Sequence, residues 1–276
     1  MTVHPATSPT SAIVVTGAAG GIGRALTELL TTAPDFHPDT AVLAVDSAWT
    51  AADLAVPSKA ERHRLDVTVA EAVAEFFTQL AAAHRLRALA NVAGVLVTGE
   101  AVDLSRADID RLVSVNLTGV IEMSTAAART MLAQQPAPDG DATGTSTGAD
   151  TDRSILTIAS NAGSVPRAGF AAYGATKAAA AHFTRSLGLE LGHAGIRCNV
   201  VNPGTTRTDM VARMWDGHDR SAEAIAGDPS RFRTGIPLGR IAEPDDIARV
   251  AAFLLSDAAC HVTAAELTVD GGATTP

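Results

Sequence analysis

The chain of 276 residues has little cysteine, only Cys198 and Cys260. One pair cannot build a disulfide framework, and neither residue sits in a CxxC motif, so a reducing, cytoplasmic location is expected. Aromatic residues make up 4% of the chain, with a single tyrosine, which disfavours a stacking platform for nucleobases. Acidic residues outnumber basic ones, 30 to 21, for a formal net charge of -9. A nucleic-acid partner would want a basic stripe instead. A local arginine can still reverse the sign inside a pocket, so an anionic substrate stays open. No apolar run reaches the roughly 18–20 residues that span a bilayer, so no membrane partner is expected. The eight histidines form no HxxxH or HExxH pair, and no metal is expected. His182 and His193 read as structural or exposed. The opening MTVHPATSPTS lacks a basic region and an apolar stretch, so it predicts no secretory leader. Residues 1–10 read as a disordered lead-in.

What the chain does have is apolar material, 46% of its residues, enough for one large core. Short apolar runs alternate with helical patterns, and the strand candidates are Ala12–Thr16, Ala41–Val45, Arg62–Leu65, Ala88–Asn91, Ile155–Ala159, Arg197–Val201 and Glu266–Val269. Ala-rich segments of helical length separate them. This alternation predicts a single α/β domain over residues 1–276, a seven-stranded parallel sheet with helices on both faces. The run ILTIA at 155–159 suits a strand covered on both sides. Two segments break the rhythm. Residues 134–153 are rich in Pro, Gly, Thr and Asp and read as a flexible surface loop. Residues 208–235 carry Met210, Met214, Trp215 and Phe232 among polar residues and read as a small helical flap beside a site.

Residues 16–23 read TGAAGGIG, after the first strand and at the start of a helix. Gly17, Gly21 and Gly23 let the backbone turn tightly, and Ile22 lies in the same turn. Amide groups at the helix start then face a pyrophosphate. The second strand closes on Asp46, where a carboxylate accepts hydrogen bonds from ribose hydroxyls and repels a 2′-phosphate. NAD is therefore expected rather than NADP. No Arg or Lys lies in the glycine loop, and Arg24 falls on the helix beyond it. Asp66 and Val67 follow the third strand and suit the adenine, although Asp66 equally suits a helix N-cap. Asn91, Ala93 and Gly94 close the fourth strand, with small residues where a cofactor would pass.

Tyr173 and Lys177 lie four apart in AAYGATKAAAAHF and share one helix face. A lysine ammonium beside a phenol favours the phenolate, and so predicts a lowered Tyr173 pKa and a general base. Ser160 ends the fifth strand, where its hydroxyl can hold a substrate oxygen. Asn116, in SVNLTG, is a poor helix former at a mid-helix position, which suggests a functional or water-holding role. Each feature has an ordinary structural reading, since a lone YxxxK is usually a surface pair.

As an ordered set, TGAAGGIG, NVAG, VNLTG, Ser160–Tyr173–Lys177 and NPGTTRTDM resemble the short-chain dehydrogenase/reductase family, with its Rossmann fold, from Ile13 to Gly272. The resemblance implies Tyr173 as acid/base, Lys177 as a ligand of the nicotinamide ribose, Ser160 as the substrate's orienting group and Asn116 on a proton-relay water. It maps the family's Pro-Gly to Pro203 and Gly204, with Thr206 and Thr208 near the nicotinamide amide and pyrophosphate. Val92 stands where the family usually has a second Asn. It also implies a homotetramer. The stretches VPRAGFAAYGATKAA, LGLELGHAGIRCNVVNPGTTRTDM and GIPLGRIAEPDDIA are similar to one branch of that family. For that branch the expected substrate is a cyclic carboxylate, 2,3-dihydro-2,3-dihydroxybenzoate, oxidised to the catechol acid of siderophores. The expected carboxylate partner is Arg167, with Arg207 a weaker candidate that can instead form a lid salt bridge. Met210, Met214 and Trp215 would wall the ring or simply pack the flap. A dihydro-3-hydroxyanthranilate, a general ketone reductase with NADPH, and a non-enzymatic NAD sensor remain alternatives.

Overall fold

The computed structural model describes residues 10–32, 40–55, 58–135 and 153–274. In chain order the elements are β1 (Thr10–Thr16), α1 (Gly21–Thr32), β2 (Thr40–Asp46), α2 (Ala51–Ala55), β3 (Glu61–Arg64), α3 (Ala70–Ala83) and β4 (His84–Asn91). There follow α4 (Arg106–Val113), a π-helical turn (Ser114–Thr118), α5 (Gly119–Ala133), β5 (Arg153–Ile158), α6 (Asn161–Ser164), α7 (Ala171–Leu191) and β6 (Ile196–Pro203). The chain closes with α8 (Asp209–Met214), α9 (Ser221–Ala226), α10 (Pro244–Leu255) and β7 (Glu266–Val269). The seven strands form one parallel sheet in the order β3-β2-β1-β4-β5-β6-β7. The expected α/β architecture is borne out.

The central strand runs are apolar on both faces because both faces are covered, whereas β3, ERHR, is polar and lies at the sheet edge. In β1, Ala12 and Val14 pack into the cluster that holds Phe77, Met123 and Leu187 of α3, α5 and α7. Ile13 and Val15 point the other way, against Leu26 of α1 and Ile247 and Leu254 of α10. Alternation with period two thus feeds two cores, one on each side of the sheet. The strand order reverses between β1 and β4. Chains that leave the carboxyl ends there diverge and open a crevice, which is where such sheets bind ligands.

Several boundaries differ from the sequence reading. β4 begins at His84 and β6 runs from Ile196 to Pro203, so both are longer than expected. β3 starts at Glu61, and Leu65 lies just beyond it. Thr10 belongs to β1 and not to a lead-in, while residues 1–9 lie outside the described residues. The 134–153 loop is also shorter than expected at both ends. Gln134 donates from Nε2 to the His84 carbonyl at 2.8 Å and accepts from the Leu86 amide at 2.8 Å. It therefore ties the end of α5 to the start of β4. Arg153 already stands in β5, and residues 136–152 lie outside the described residues. The 208–235 flap contains α8, α9 and a short turn at Pro229–Arg231.

Candidate active site

Two connected hollows lie along the carboxyl edge of the sheet. The first is a cleft of about 1680 Å³, partly open to solvent. Gly17, Gly21, Ile22 and Gly23 line one side of it, and Asp46, Asp66 and Val67 line the end beyond β2 and β3. Ala93, Gly94 and Thr208 close the other side. The glycines are required by space. Gly17 adopts a φ of +67°, and a Cβ there would stand 2.7 Å from the Ala93 amide nitrogen. A Cβ on Gly23 would meet the Gly17 carbonyl oxygen at 2.1 Å. The Asp46 carboxylate is held at the end of β2 by two amides, accepting from Ala19 at 3.0 Å and Ala48 at 2.8 Å. It fixes a negative charge beside the glycine loop. Asp66 is not a helix N-cap: it accepts from the Thr68 amide and hydroxyl, and Val69 stands at the N-cap of α3.

Asn91 departs from its expected place on the cofactor. Its side chain points into the core, donating to Ser124 Oγ at 2.8 Å, and Thr157 and Thr184 extend the same buried network. A strand alternates its faces, so Asn91 looks at α5 while the loop after it turns to the cleft.

The second hollow, open at its mouth, adjoins the first at Ile22, Gly94 and Thr208. Ser160, Tyr173 and Lys177 line it, with Pro203, Gly204 and Thr206 opposite. Two glycines bring Ser160 to the tyrosine. A Cβ on Gly163 would lie 2.8 Å from the Ala178 amide, and one on Gly174 would lie 2.5 Å from the Ala162 carbonyl oxygen. Their absence lets α6 press onto α7. Ser160 caps α6 by accepting from the Ala162 amide at 3.1 Å, and its hydroxyl lies beside the Tyr173 phenol in the same hollow. Burial raises the phenol pKa above its usual 10.0; the Ser160 hydroxyl and the Arg167 charge oppose that rise. This corrects the sequence expectation. Lys177 is not what lowers the phenol here, because its ammonium is directed to the Ile158 carbonyl at 3.0 Å. Lys177 is itself 5% exposed, and burial lowers its pKa to about 8.

Asn116 lies in the π-helical turn between α4 and α5, fully buried. Its side chain clamps the loop after β4, accepting from the Val95 amide at 2.9 Å and donating to the Val95 carbonyl at 2.9 Å. A third bond reaches Thr176 Oγ1 at 3.3 Å, on the turn of α7 next to Lys177. A Cβ on Gly94 would stand 3.2 Å from Lys177 Nζ and 3.3 Å from Asn116 Oδ1, so the three residues meet at one point. The π-bulge aims Asn116 inward where a regular helix would leave a poor helix former without a purpose.

Arg167, Met210 and Met214 also line the second hollow. Trp215 does not: it is 8% exposed and packs with Ala224, Ile236 and Ile241 in a small core that ties the flap to the segment after it. Arg207 pairs with Glu243 at 2.9 Å on the surface and takes no part. Phe170, Val95 and Arg233 also line the hollow and carry no sequence signal. Phe170 lies edge-on to Tyr173 with ring centroids 6.1 Å apart, three residues before it on α7's approach. Only the folding of the flap brings Arg233 there.

The donor set fits a nicotinamide dinucleotide. The glycine cradle opens the start of α1 toward the cleft, and a helix start is a place for a pyrophosphate. Lys177 keeps three ammonium donors in a buried site, of which the Ile158 carbonyl takes one. No described helix is long and apolar enough to cross a membrane.

Comparison with known proteins agrees with this geometry. A family model described as enoyl-(acyl carrier protein) reductase matches residues 17–274. The 2,3-dihydro-2,3-dihydroxybenzoate dehydrogenase of Bacillus subtilis strain 168 is 38% identical, over 94% of this chain and 94% of its own. The enzyme of that name from Escherichia coli K12 is 37% identical, over 94% and 95%. A vibriobactin-specific counterpart from Vibrio cholerae is 36% identical, over 96% of each chain. Among solved structures, a putative NAD(P)-dependent gluconate 5-dehydrogenase from Beutenbergia cavernae with NADP bound is 30% identical. It superposes with a TM-score of 0.78 over 99% of this chain and 100% of its own. The ligand-free aldohexose dehydrogenase of Thermoplasma acidophilum gives 0.78 at 25% identity, over 97% and 95%. With the Ser160–Tyr173–Lys177 site, the glycine loop and these likenesses, the chain belongs to the short-chain dehydrogenase/reductase family, as an oxidoreductase that acts on a CH–OH donor with a nicotinamide cofactor.

Proposed function

We propose that the protein oxidises 2,3-dihydro-2,3-dihydroxybenzoate to 2,3-dihydroxybenzoate with NAD+, a step toward catechol siderophores. The observation that carries the reading is the hollow beside Ser160 and Tyr173. It combines a carbinol-oxidising pair, an apolar wall and the cation Arg167. The three dehydrogenases at 36–38% identity share that named activity.

NAD is preferred over NADP because the Asp46 carboxylate, fixed by two amides at the end of β2, repels a 2′-phosphate. When bound along the glycine loop, NAD+ would supply the hydride acceptor. Ser160 holds the ring hydroxyl against Tyr173, whose phenolate takes that hydroxyl's proton as the hydride leaves the same carbon. Lys177 and Asn116, joined at Gly94, hold the ribose side and the path by which the proton leaves. The dienone product tautomerises to the aromatic catechol, which makes the oxidation effectively irreversible. Met210 and Met214 supply the wall over the ring, and Arg167 binds the carboxylate.

Absorbance at 340 nm tests this directly. Rapid NADH formation from trans-2,3-dihydro-2,3-dihydroxybenzoate supports the reading. Preference for trans-2,3-dihydro-3-hydroxyanthranilate moves the substrate to the amine analogue with the same residues. Silence with both, and reduction of simple ketones with NADPH, would overturn it.

A further inference from the structure

A third hollow, an outer groove along α7, lies behind the one that holds Ser160 and Tyr173. Among the described residues, Ala162, Arg167 and Phe170 line both and so form the wall between them. Ala162 contributes only a methyl group, and Arg167 is the cation assigned to the substrate carboxylate. Phe170 therefore supplies the bulk of the partition. Its ring meets Tyr173 edge-on, at 71° with centroids 6.1 Å apart. It packs against the small core of Leu112, Ala162 and Tyr173.

The backbone around that ring is held as well. The Phe170 amide donates to the Arg167 carbonyl at 3.1 Å, and its carbonyl accepts from the Gly174 amide at 2.7 Å. One residue earlier, the Gly169 carbonyl accepts from the Gly99 amide at 3.0 Å. That bond ties the approach to α7 to the loop after β4. The groove behind the ring is apolar and lined by small residues. Ala171, Gly174, Ala175 and Ala178 border it at the i, i+3, i+4, i+7 spacing of one helix face. None of the four has a side chain larger than a methyl group. Phe232, 95% exposed, adds an apolar ring to the groove lining. Arg167 is the one charged residue among the described residues that line it. A second ring fused to the substrate would find apolar surface in the groove, and Phe170 stands in its way.

We infer that Phe170 is a specificity-determining residue, a partition that closes the reaction hollow toward the groove and limits the substrate to a single compact ring. The inference rests on the proposed cyclic substrate and names the group that sets its size. Ser160 and Arg167 act on the polar groups of that ring and leave its size open.

The test compares single rings with their benzo-fused counterparts. Binding to the enzyme–NADH complex is measured by calorimetry for salicylate against 3-hydroxy-2-naphthoate, and for salicylamide against 3-hydroxy-2-naphthamide. Wild type should hold the single rings at least about ten-fold more tightly than the fused ones. In Phe170→Ala the fused rings should gain about 10- to 30-fold, as one more ring edge is buried, with the single rings changed by less than about five-fold. Ala175, exposed on α7, lines the groove. Ala175→Leu on the Phe170→Ala background refills the groove and should cancel the gain, which a merely structural role for Phe170 would not predict. Circular dichroism and Tm show whether each variant is folded. Phe170→Leu, with an expected gain of about three- to five-fold, serves if the alanine variant is not. Fused rings that bind wild type as tightly as single ones, no gain in either variant, or a gain that Ala175→Leu leaves intact would overturn the partition. A gain with the amides alone leaves the partition standing and removes the carboxylate from the substrate. If the gain appears but wild type does not oxidise the dihydrodiol, the partition stands and the proposed substrate falls.

Discussion

Tyr173 and Lys177 are both buried, and burial moves them in opposite senses with respect to charge. The phenol is raised and the ammonium is lowered to about 8. Both sites therefore favour neutral side chains, so charge must be induced there by neighbours or ligand. Tyr173→Phe removes the one hydroxyl that can take the proton, and turnover should fall by at least about 10³-fold. NADH affinity, read by fluorescence, should change little. Unchanged turnover would end the proposed mechanism. Lys177 also makes a stability prediction. Its folded pKa near 8 lies below the unfolded value of 10.5, so between those values the unfolded chain binds more protons. Stability from this group should rise from pH 8 to pH 10, by about 2 kcal/mol. Tyr173 reverses the sign above its unfolded pKa of 10.0, since the folded phenol keeps its proton longer. Urea denaturation of wild type against Lys177→Met, at pH 8 and 10, reads the difference; a pH-independent gap would refute it. At Asp46, Ala19 bonds Oδ2 and Ala48 bonds Oδ1, so Asp46→Asn keeps an acceptor for one of the two amides and removes the charge. The kcat/KM ratio of NAD+ to NADP+ should drop by about 10- to 100-fold.

At the scale of elements, the site depends on how closely α6 and α7 pack. The YxxxK spacing on one helix was legible because i and i+4 share a face regardless of the rest of the protein. The glycine loop was legible for the same reason, being a local turn between one strand and one helix. Ser160's contact with Tyr173 rests on Gly163 and Gly174, whose missing side chains are visible in sequence but whose purpose is not. Gly174→Ala places a methyl 2.5 Å from a backbone carbonyl that cannot swing aside. It should cost about 1–3 kcal/mol, and should lower kcat more than cofactor affinity, because it displaces the serine. Thermal melts and steady-state kinetics check both. Equal kcat with a normal Tm would show that α6 can move freely. Asn91 and Trp215 are the opposite case. Both were read by position along the chain, and both face a core, since one-residue alternation or one helical turn decides the direction of a side chain.

At the scale of the whole molecule, seven parallel strands bring the ends of β1, β2, β4, β5 and β6 to one edge, and the two hollows lie along it. A homotetramer remains the proposal for the assembly, and Leu189, 76% exposed on α7, is apolar surface that such an assembly would cover. Light scattering should then give four times the chain mass of 28.2 kDa; the mass of a single chain would reject it.

The sequence by itself determined what short-range physics controls. That covers the strand runs that are apolar on both sides, the glycine turn before α1, the acid closing β2, and a tyrosine and lysine on one helix face. These follow from neighbours a few residues apart, so the amino acids state them directly. Only the tertiary structure decided the pairings made by distant segments: Ser160 pressed to Tyr173 across two glycines, Lys177 turned to the Ile158 carbonyl and not to the phenol, and Asn116 clamping the loop after β4. Arg167 and Arg233 line the same hollow for the same reason. They are 66 residues apart in the chain, and no periodicity connects them; the packing of the flap against the sheet edge brings both to it.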